Sequence, residues 1–118
     1  MEFNTLPEFE RDFKQLHKKF RSLNEDLAEI RLILSKKPGV RPPFSFRIEG
    51  LGIETCIIKV RKIACKSLKG RGANSGLRLI YAYFVDEQRI VLIELYHKSD
   101  KPDEDRQRIM EHFGGKSR

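Results

Sequence analysis

Eight apolar residues, Phe9, Phe13, Leu16, Phe20, Leu23, Leu27, Ile30 and Leu34, recur at alternating spacings of four and three, the period of a helix with one buried face. The stripe alone suits one long helix. Within it, however, Ser22-Leu23-Asn24-Glu25 has the S-x-x-E form of a capping box, and Asn24 is a second cap candidate, so two helices in a hairpin broken near residue 22 are predicted. A coiled-coil seam is the competing reading, but the stripe spans fewer than four heptads and is rich in Phe, which favours packing against a sheet. From residue 57 the pattern changes. Ile57 to Ala64 is rich in β-branched residues; Leu77, Leu79, Tyr81 and Tyr83 alternate with Ile80, Ala82 and Phe84; Ile90 and Leu92 alternate with Val91, Ile93 and Leu95. Both faces of the last two runs are apolar, as in central strands. The polar break Asp86-Glu87-Gln88-Arg89 between them has hairpin-loop length and folds the second run back antiparallel to the first.

Residues 35–55 contain Pro38, Gly39, Pro42, Pro43, Gly50 and Gly52, a density that marks a connection, ordered by the apolar anchors Val40, Phe44, Phe46, Ile48, Leu51 and Ile53. Met1 to Thr5 reads as a short first strand. After the last strand, Asp100 or Ser99 is expected to cap a helix with Pro102, Asp103, Glu104 and Asp105 in its first turn, Ile109, Met110 and Phe113 on its apolar stripe, and Gly114 and Gly115 as its stop. The predicted order is strand, helix, helix, strand, strand, strand, helix. This describes one α+β domain over residues 1–118, with a small antiparallel sheet of about four strands, a two-helix N-terminal hairpin and a short C-terminal helix.

Composition narrows the function classes. A chain of 118 residues has room for one core. A formal charge of +7 and a pI near 9.6 point to a polyanionic partner or an acidic protein, with a solvated basic surface as the plain alternative. No apolar run approaches the roughly 20 residues of a membrane span. The first residues, with Glu2, Glu8, Glu10 and Asp12, lack the basic and apolar regions of a signal peptide, so a cytoplasmic location and no membrane partner are expected. Cys56 and Cys65 lie nine residues apart on what reads as one strand run, roughly 30 Å at about 3.3 Å per residue, too far for a disulfide. Without a CxxC or a clustered His pair they make a poor zinc site, and neither a metal nor another cofactor is expected.

If the hairpin turn centres near Glu87, Arg78 lies opposite Tyr96 or His97, and an up-down-up meander brings the loop 67–76 beside His97. Lys66, Lys69, Arg71, Arg78, His97, Lys98 and Lys101 then share one end of the sheet, with Glu94 and Asp100 the only nearby acids, a concentration of donors that suits a phosphate. Each residue also has a plainer reading. Arg78 is placed to bridge to Glu94 or Asp100, and a histidine ending a strand is commonly a structural hydrogen-bonding group. Lys59, Arg61 and Lys62 either line a nucleic-acid path or are edge-strand charges that block aggregation. His17, on the polar side of the first helix, reads as a surface residue.

The run Gly70-Arg71-Gly72-Ala73-Asn74-Ser75-Gly76-Leu77-Arg78-Leu79-Ile80-Tyr81, then Ile90 to Tyr96 and His97-Lys98-Ser99-Asp100-Lys101, resembles the RelE/ParE superfamily of toxins from bacterial and archaeal toxin-antitoxin modules, closer to its RNA-cleaving RelE/HigB-like members. The element order extends the resemblance over nearly the whole chain. It implies a four-stranded sheet with two N-terminal helices and, for many members, cleavage of messenger RNA in the ribosomal decoding site; other members poison DNA gyrase. The implied partners are an antitoxin, acidic to match so basic a chain, together with mRNA and ribosomal RNA. Metal-free RNA cleavage, which leaves 2′,3′-cyclic phosphate ends, needs a base for the 2′-hydroxyl, an acid for the departing 5′-oxygen and cations for the phosphorane. On this resemblance the catalytic candidates are Arg78, as a bidentate phosphate grip, His97, as acid or base, and Lys66 and Lys98, as charge. A lysine whose pKa is depressed by neighbouring cations offers a second route to a base. Lys59, Arg61, Lys62, Lys69, Arg71 and Lys101 are the RNA-binding candidates. Several RNA-cleaving relatives carry a tyrosine in or near the last helix; here Pro102 to Phe113 has none, and His112 or Phe113 are the possible substitutes.

Overall fold

The apolar stripe does divide. In the computed structural model, which describes residues 1–114, it forms α1 (Pro7–Lys19) and α2 (Leu23–Lys36), separated where Phe20 leaves the helix in extended conformation. Pro7 opens α1, where its missing N–H costs nothing. Glu8 and Glu10 lie in the first turn and His17, Lys18 and Lys19 in the last, matching the helix dipole at both ends. Ser22 stands at the start of α2 but does not close the expected capping box. Its hydroxyl donates to Asp26 Oδ2 (2.7 Å) and accepts the Ser67 N–H (2.9 Å), which ties α2 to the loop that follows the middle of the chain.

Among the described residues five strands make one sheet: β1 (Glu2–Thr5), β2 (Ser45–Arg47), β3 (Cys56–Val60), β4 (Leu77–Phe84) and β5 (Arg89–His97), in the order β1-β5-β4-β3-β2. The predicted meander β3-β4-β5 is present and antiparallel. Two points differ from a four-stranded antiparallel sheet. Ser45–Arg47, inside the stretch expected to be only a connection, pairs with β3, because the chain after Pro43 is short, apolar-anchored and free to extend along an open edge. In addition, β1 runs parallel to β5, so the sheet is mixed. β3 also ends at Val60, earlier than the run to Ala64 suggested.

Strand parity sorts the core into two layers. Ile58, Val60, Leu77, Leu79, Tyr81, Ile90, Leu92 and Leu95 pack under α1 and α2 with Phe9, Leu16, Leu23, Leu27, Ile30 and Leu34. Ile57, Ile80, Ala82, Val91, Ile93 and Tyr96 face the other way, against Ile109 of α3 (Arg106–Phe113). Burying each of the large aliphatic side chains is worth about 1.5–3 kcal/mol. Tyr81, fully buried, donates its hydroxyl to the Pro38 carbonyl (2.5 Å), which holds the connection after α2 against the sheet.

The register slips between Ile80 and Tyr81: Ile80 is opposite Glu94, but Tyr81 is opposite Leu92, so Ile93 is the extra residue of a bulge. The bulge aims the buried Glu94 carboxylate at the connection to α3, where it accepts the Asp105 N–H (2.8 Å) and pairs with Lys101. That anchoring delays the helix. α3 begins at Arg106 with Asp105 as its cap, its Oδ1 accepting the Arg108 N–H (3.0 Å), instead of beginning at Pro102 behind Asp100 or Ser99. Gly114 closes α3; Gly115 lies outside the described residues.

Beyond Thr5, no strand among the described residues pairs with the outer edge of β5, and an ion pair covers that edge. Asp12 of α1 accepts the Leu95 N–H (3.1 Å), Arg108 of α3 donates to the Ile93 carbonyl (2.8 Å), and the two side chains meet at 2.8 Å. One pair thus satisfies the edge and joins the helices on the two sides of the sheet.

Candidate functional site

Arg78 and His97 come from the two central strands, but parity separates them. Arg78 is opposite Tyr96 and His97 is opposite Leu77, so their side chains leave opposite faces of the sheet. The expectation that they sit side by side is corrected by this register. His97 turns toward the helical hairpin and packs on Phe20, with ring centroids 5.9 Å apart. Both of its ring nitrogens are occupied: Nδ1 accepts the Ser99 N–H (3.1 Å) and lies 2.8 Å from the Ser99 hydroxyl, so Nε2 carries the hydrogen that it gives to the Ser75 carbonyl (2.9 Å). A histidine so engaged positions the backbone around it.

What it positions is Gly76. At φ +94° this residue adopts a conformation that side chains rarely accept, and a Cβ there would lie 2.7 Å from His97 Nε2. The Gly76 carbonyl accepts the Lys98 N–H (2.9 Å), Ser75 Oγ donates to the Ile63 carbonyl (2.6 Å), and Ile63 bridges Asn74. These contacts lace residues 61–63, 74–76 and 98 into the rim of a cleft of about 370 Å³ on the face not covered by α1 and α2. Pro43, Phe46, Arg61, Lys62, Asn74, Gly76, Arg78 and Lys98 line it. The same face farther along is closed by α3, so the cleft is the uncovered end of the sheet.

The cleft is a cluster of like charges. Among the described residues, no carboxylate lies within 4 Å of Arg61, Lys62, Arg78 or Lys98. Of the two carboxylates offered to Arg78 in the plainer reading, Glu94 is already held by Lys101, and Asp100 forms no ion pair with Arg78 among the described residues. Arg78 is half-buried and donates from one guanidinium nitrogen to the Arg61 and Leu77 carbonyls (3.3 Å each), leaving the rest of its fork for a ligand. Burial first, and then the neighbouring Arg61, lower its pKa below the ordinary arginine value while leaving it a cation. Lys62 is steadied by Asn74 Oδ1 at 2.8 Å. A bound dianion would relieve the repulsion among four cations and satisfy their open donors.

The remaining candidates lie elsewhere. Lys66 reaches back to Glu25 (3.3 Å) and Glu29 (3.6 Å) on α2, and the Glu25 hydrogen bond raises its pKa; it does not join Arg78. Lys59 is committed to Glu104 (2.9 Å); burial alone would lower its pKa, but the bonds to Glu104 and Tyr96 raise it overall. Lys101 is committed to Glu94. Lys69 and Arg71 are exposed on the glycine-rich loop, outside the cleft lining. Phe46 and Asn74 line the cleft and were not among the predicted site residues. Phe46 had read as a loop anchor; only its pairing opposite Lys59, one position from a turn, shows it to be a strand residue on the cleft face. His17 stacks on Phe13 with centroids 5.3 Å apart, on the helix surface as expected. His112 pairs with Glu8 (3.0 Å) and Phe113 packs on Phe84, so neither reaches the cleft. Both cysteines are free; burial pushes the Cys65 thiol pKa up, as for a packing residue. Among the described residues, no group of three or more His, Cys, Asp or Glu is arranged to hold a metal ion, and no helix is long and apolar enough to cross a membrane.

No protein-family model matches the chain, and no curated protein matches it significantly. The solved structures similar to it include two toxins. A metal-bound toxin from Helicobacter pylori is similar with a TM-score of 0.58 and 18% identity, over 85% of this chain and 97% of that one. A copper-bound mutant toxin from the same organism is similar with a TM-score of 0.52 and 21% identity, over the same shares of the two chains. At these identities the likeness establishes the shared fold.

Proposed function

We propose that the protein is the toxin of a toxin-antitoxin module, of RelE/ParE type, and that it is a ribosome-dependent endoribonuclease whose active site is the cleft around Arg78. The observation that carries this reading is the set of four cations that have no carboxylate partner among the described residues, at one end of the sheet, in a fold shared with two toxins. In the proposed reaction the 2′-hydroxyl oxygen attacks the adjacent phosphorus and the bond from phosphorus to the 5′-oxygen breaks. A 2′,3′-cyclic phosphate and a 5′-hydroxyl result. Arg78 and Arg61 grip the non-bridging oxygens and stabilise the charge gained in the phosphorane. Lys62 and Lys98 also line the cleft; one of these ammonium groups gives its proton to the departing 5′-oxygen, and the 2′-hydroxyl proton passes to solvent water. His97 acts from below as a positioning residue for Gly76 and the rim. Lys69 and Arg71, exposed on the glycine-rich loop, are assigned contacts to RNA outside the cleft, and the chain's +7 charge favours ribosomal RNA and an acidic antitoxin as partners in the cytoplasm.

The test is to add purified protein to a translating extract and map the message ends. Cuts in ribosome-bound mRNA with 2′,3′-cyclic phosphate ends support the reading, and intact messages oppose it. One observation favours a second reading, inhibition of gyrase through the helical hairpin. Leu32 is 60% exposed and Ile33 37% exposed on α2, and a separate groove of the hairpin is lined by Phe9, Phe13 and Leu27. A supercoiling assay in which the protein inhibits gyrase, and still does so as Arg78→Ala, would select it.

A further inference from the structure

Four cations explain the phosphate, but not Phe46. This residue lies on the outermost strand, opposite Lys59, and stays 37% exposed although burying its ring would stabilise the fold. It lines the cleft beside Pro43, and the Arg61 guanidinium stands 5.9 Å from its ring centroid. Arg61 thus stands against the ring, Arg78 lines the same cleft, and part of the ring meets solvent. Neither β2, three residues long, nor the core requires an aromatic here, since Ser45 and Ile48 carry the burial of this segment. An exposed aromatic within one cleft with unpaired arginines matches the two needs of a single-stranded nucleotide, a flat surface for the base and charge for its phosphate.

We infer that Phe46 is a stacking platform for the nucleobase attached to the phosphate held by Arg61 and Arg78. This deepens the proposed function and rests on it, because the base is placed only if the phosphate occupies the cation cluster. A stacked base must be unpaired, so the cleft takes single-stranded RNA and excludes a duplex. The base also fixes the orientation of the sugar, so Phe46 sets where along the strand the phosphate enters. Arg61, between the ring and the phosphate, serves both.

The test compares binding, by fluorescence anisotropy, of a short end-labelled oligoadenylate and an abasic oligonucleotide of the same length and charge. The wild type should bind the base-bearing strand about 5- to 100-fold more tightly, the range of one base stacked on one aromatic. Phe46→Ala should bring the two affinities together, and Phe46→Trp should restore the gap. Quenching of 2-aminopurine placed in the strand should follow the same order. A wild type that binds both strands equally overturns the platform and leaves the phosphate reading standing. A wild type that binds neither overturns both. Because Phe46 is exposed, the variants are expected to melt with the wild type; a gap that persists in a folded Phe46→Ala protein also overturns the inference.

Discussion

Gly76→Ala is the sharpest structural probe of the site, because one methyl group tests the placement of His97 behind the cleft. At φ +94° the substitution carries backbone strain of about 1–2 kcal/mol. Its Cβ would also stand 2.7 Å from His97 Nε2. Moving the ring away loosens the bonds to the Ser75 carbonyl and Ser99, each worth about 1 kcal/mol, and the stacking on Phe20. The expected total is about 3–4 kcal/mol. In a His97→Ala background the ring is gone and only the backbone strain remains, so the same substitution should cost about 1–2 kcal/mol. Urea denaturation of the four proteins, followed by circular dichroism, gives the cycle, with an expected coupling near 2 kcal/mol. A Gly76→Ala cost that agrees in the two backgrounds to within about 0.5 kcal/mol would refute the geometry.

Other perturbations follow from the ion pairs and the cleft. Removing either partner of the Asp12–Arg108 pair strips the uncovered edge of β5, so Asp12→Ala and Arg108→Ala should each destabilise by about 1–3 kcal/mol in urea melts, with the double variant costing less than the sum. The hydrogen bond from His112 holds the Glu8 pKa below the ordinary carboxylate value; its contribution is therefore complete above the unfolded pKa and fades as pH falls through the folded one. Glu8→Gln should flatten that acid limb in melts below about pH 5, a window set by the ordinary glutamate pKa. RNA binding should weaken with salt, and Arg78→Ala should reduce the logarithmic slope by about 0.7, the share of one phosphate contact on a single strand; an unchanged slope would place Arg78 off the phosphate.

The sequence was legible where periodicity carried the information. The helical stripe with its break, the central meander and both apolar faces of β4 and β5 follow from the alternation of residues such as Leu79 and Ile80, and the structure has them. β2 was not legible, since three residues between prolines and glycines hold too little periodicity to distinguish a strand from a loop. At the site the difficulty was one of parity. Placing Arg78 and His97 at one end of the sheet was right, but neighbouring register positions face opposite ways, and the turn length alone left Arg78 opposite either Tyr96 or His97. Charge counting also could not tell which cations are already neutralised: Lys59, Lys66 and Lys101 find carboxylates, whereas Arg61, Lys62, Arg78 and Lys98 find none among the described residues. Phe46 escaped notice because its meaning depends on an edge that only the folded sheet defines.

The central claim is that the unpaired cation cluster, and not the basic surface in general, cleaves RNA. The direct measurement is the rate of message cleavage in a translating extract for the wild type, Arg78→Ala and Lys66→Ala, each confirmed to be folded. The wild type should cut. Arg78→Ala should be slower by roughly 100-fold or more, the usual loss for one charge-stabilising group at a reacting centre. Lys66→Ala, whose ammonium is bound to Glu25 and Glu29, should stay within about a factor of two of the wild type, since an exposed ion pair contributes little. Equal rates for wild type and Arg78→Ala, or a loss on Lys66→Ala as large as that on Arg78→Ala, would contradict the account.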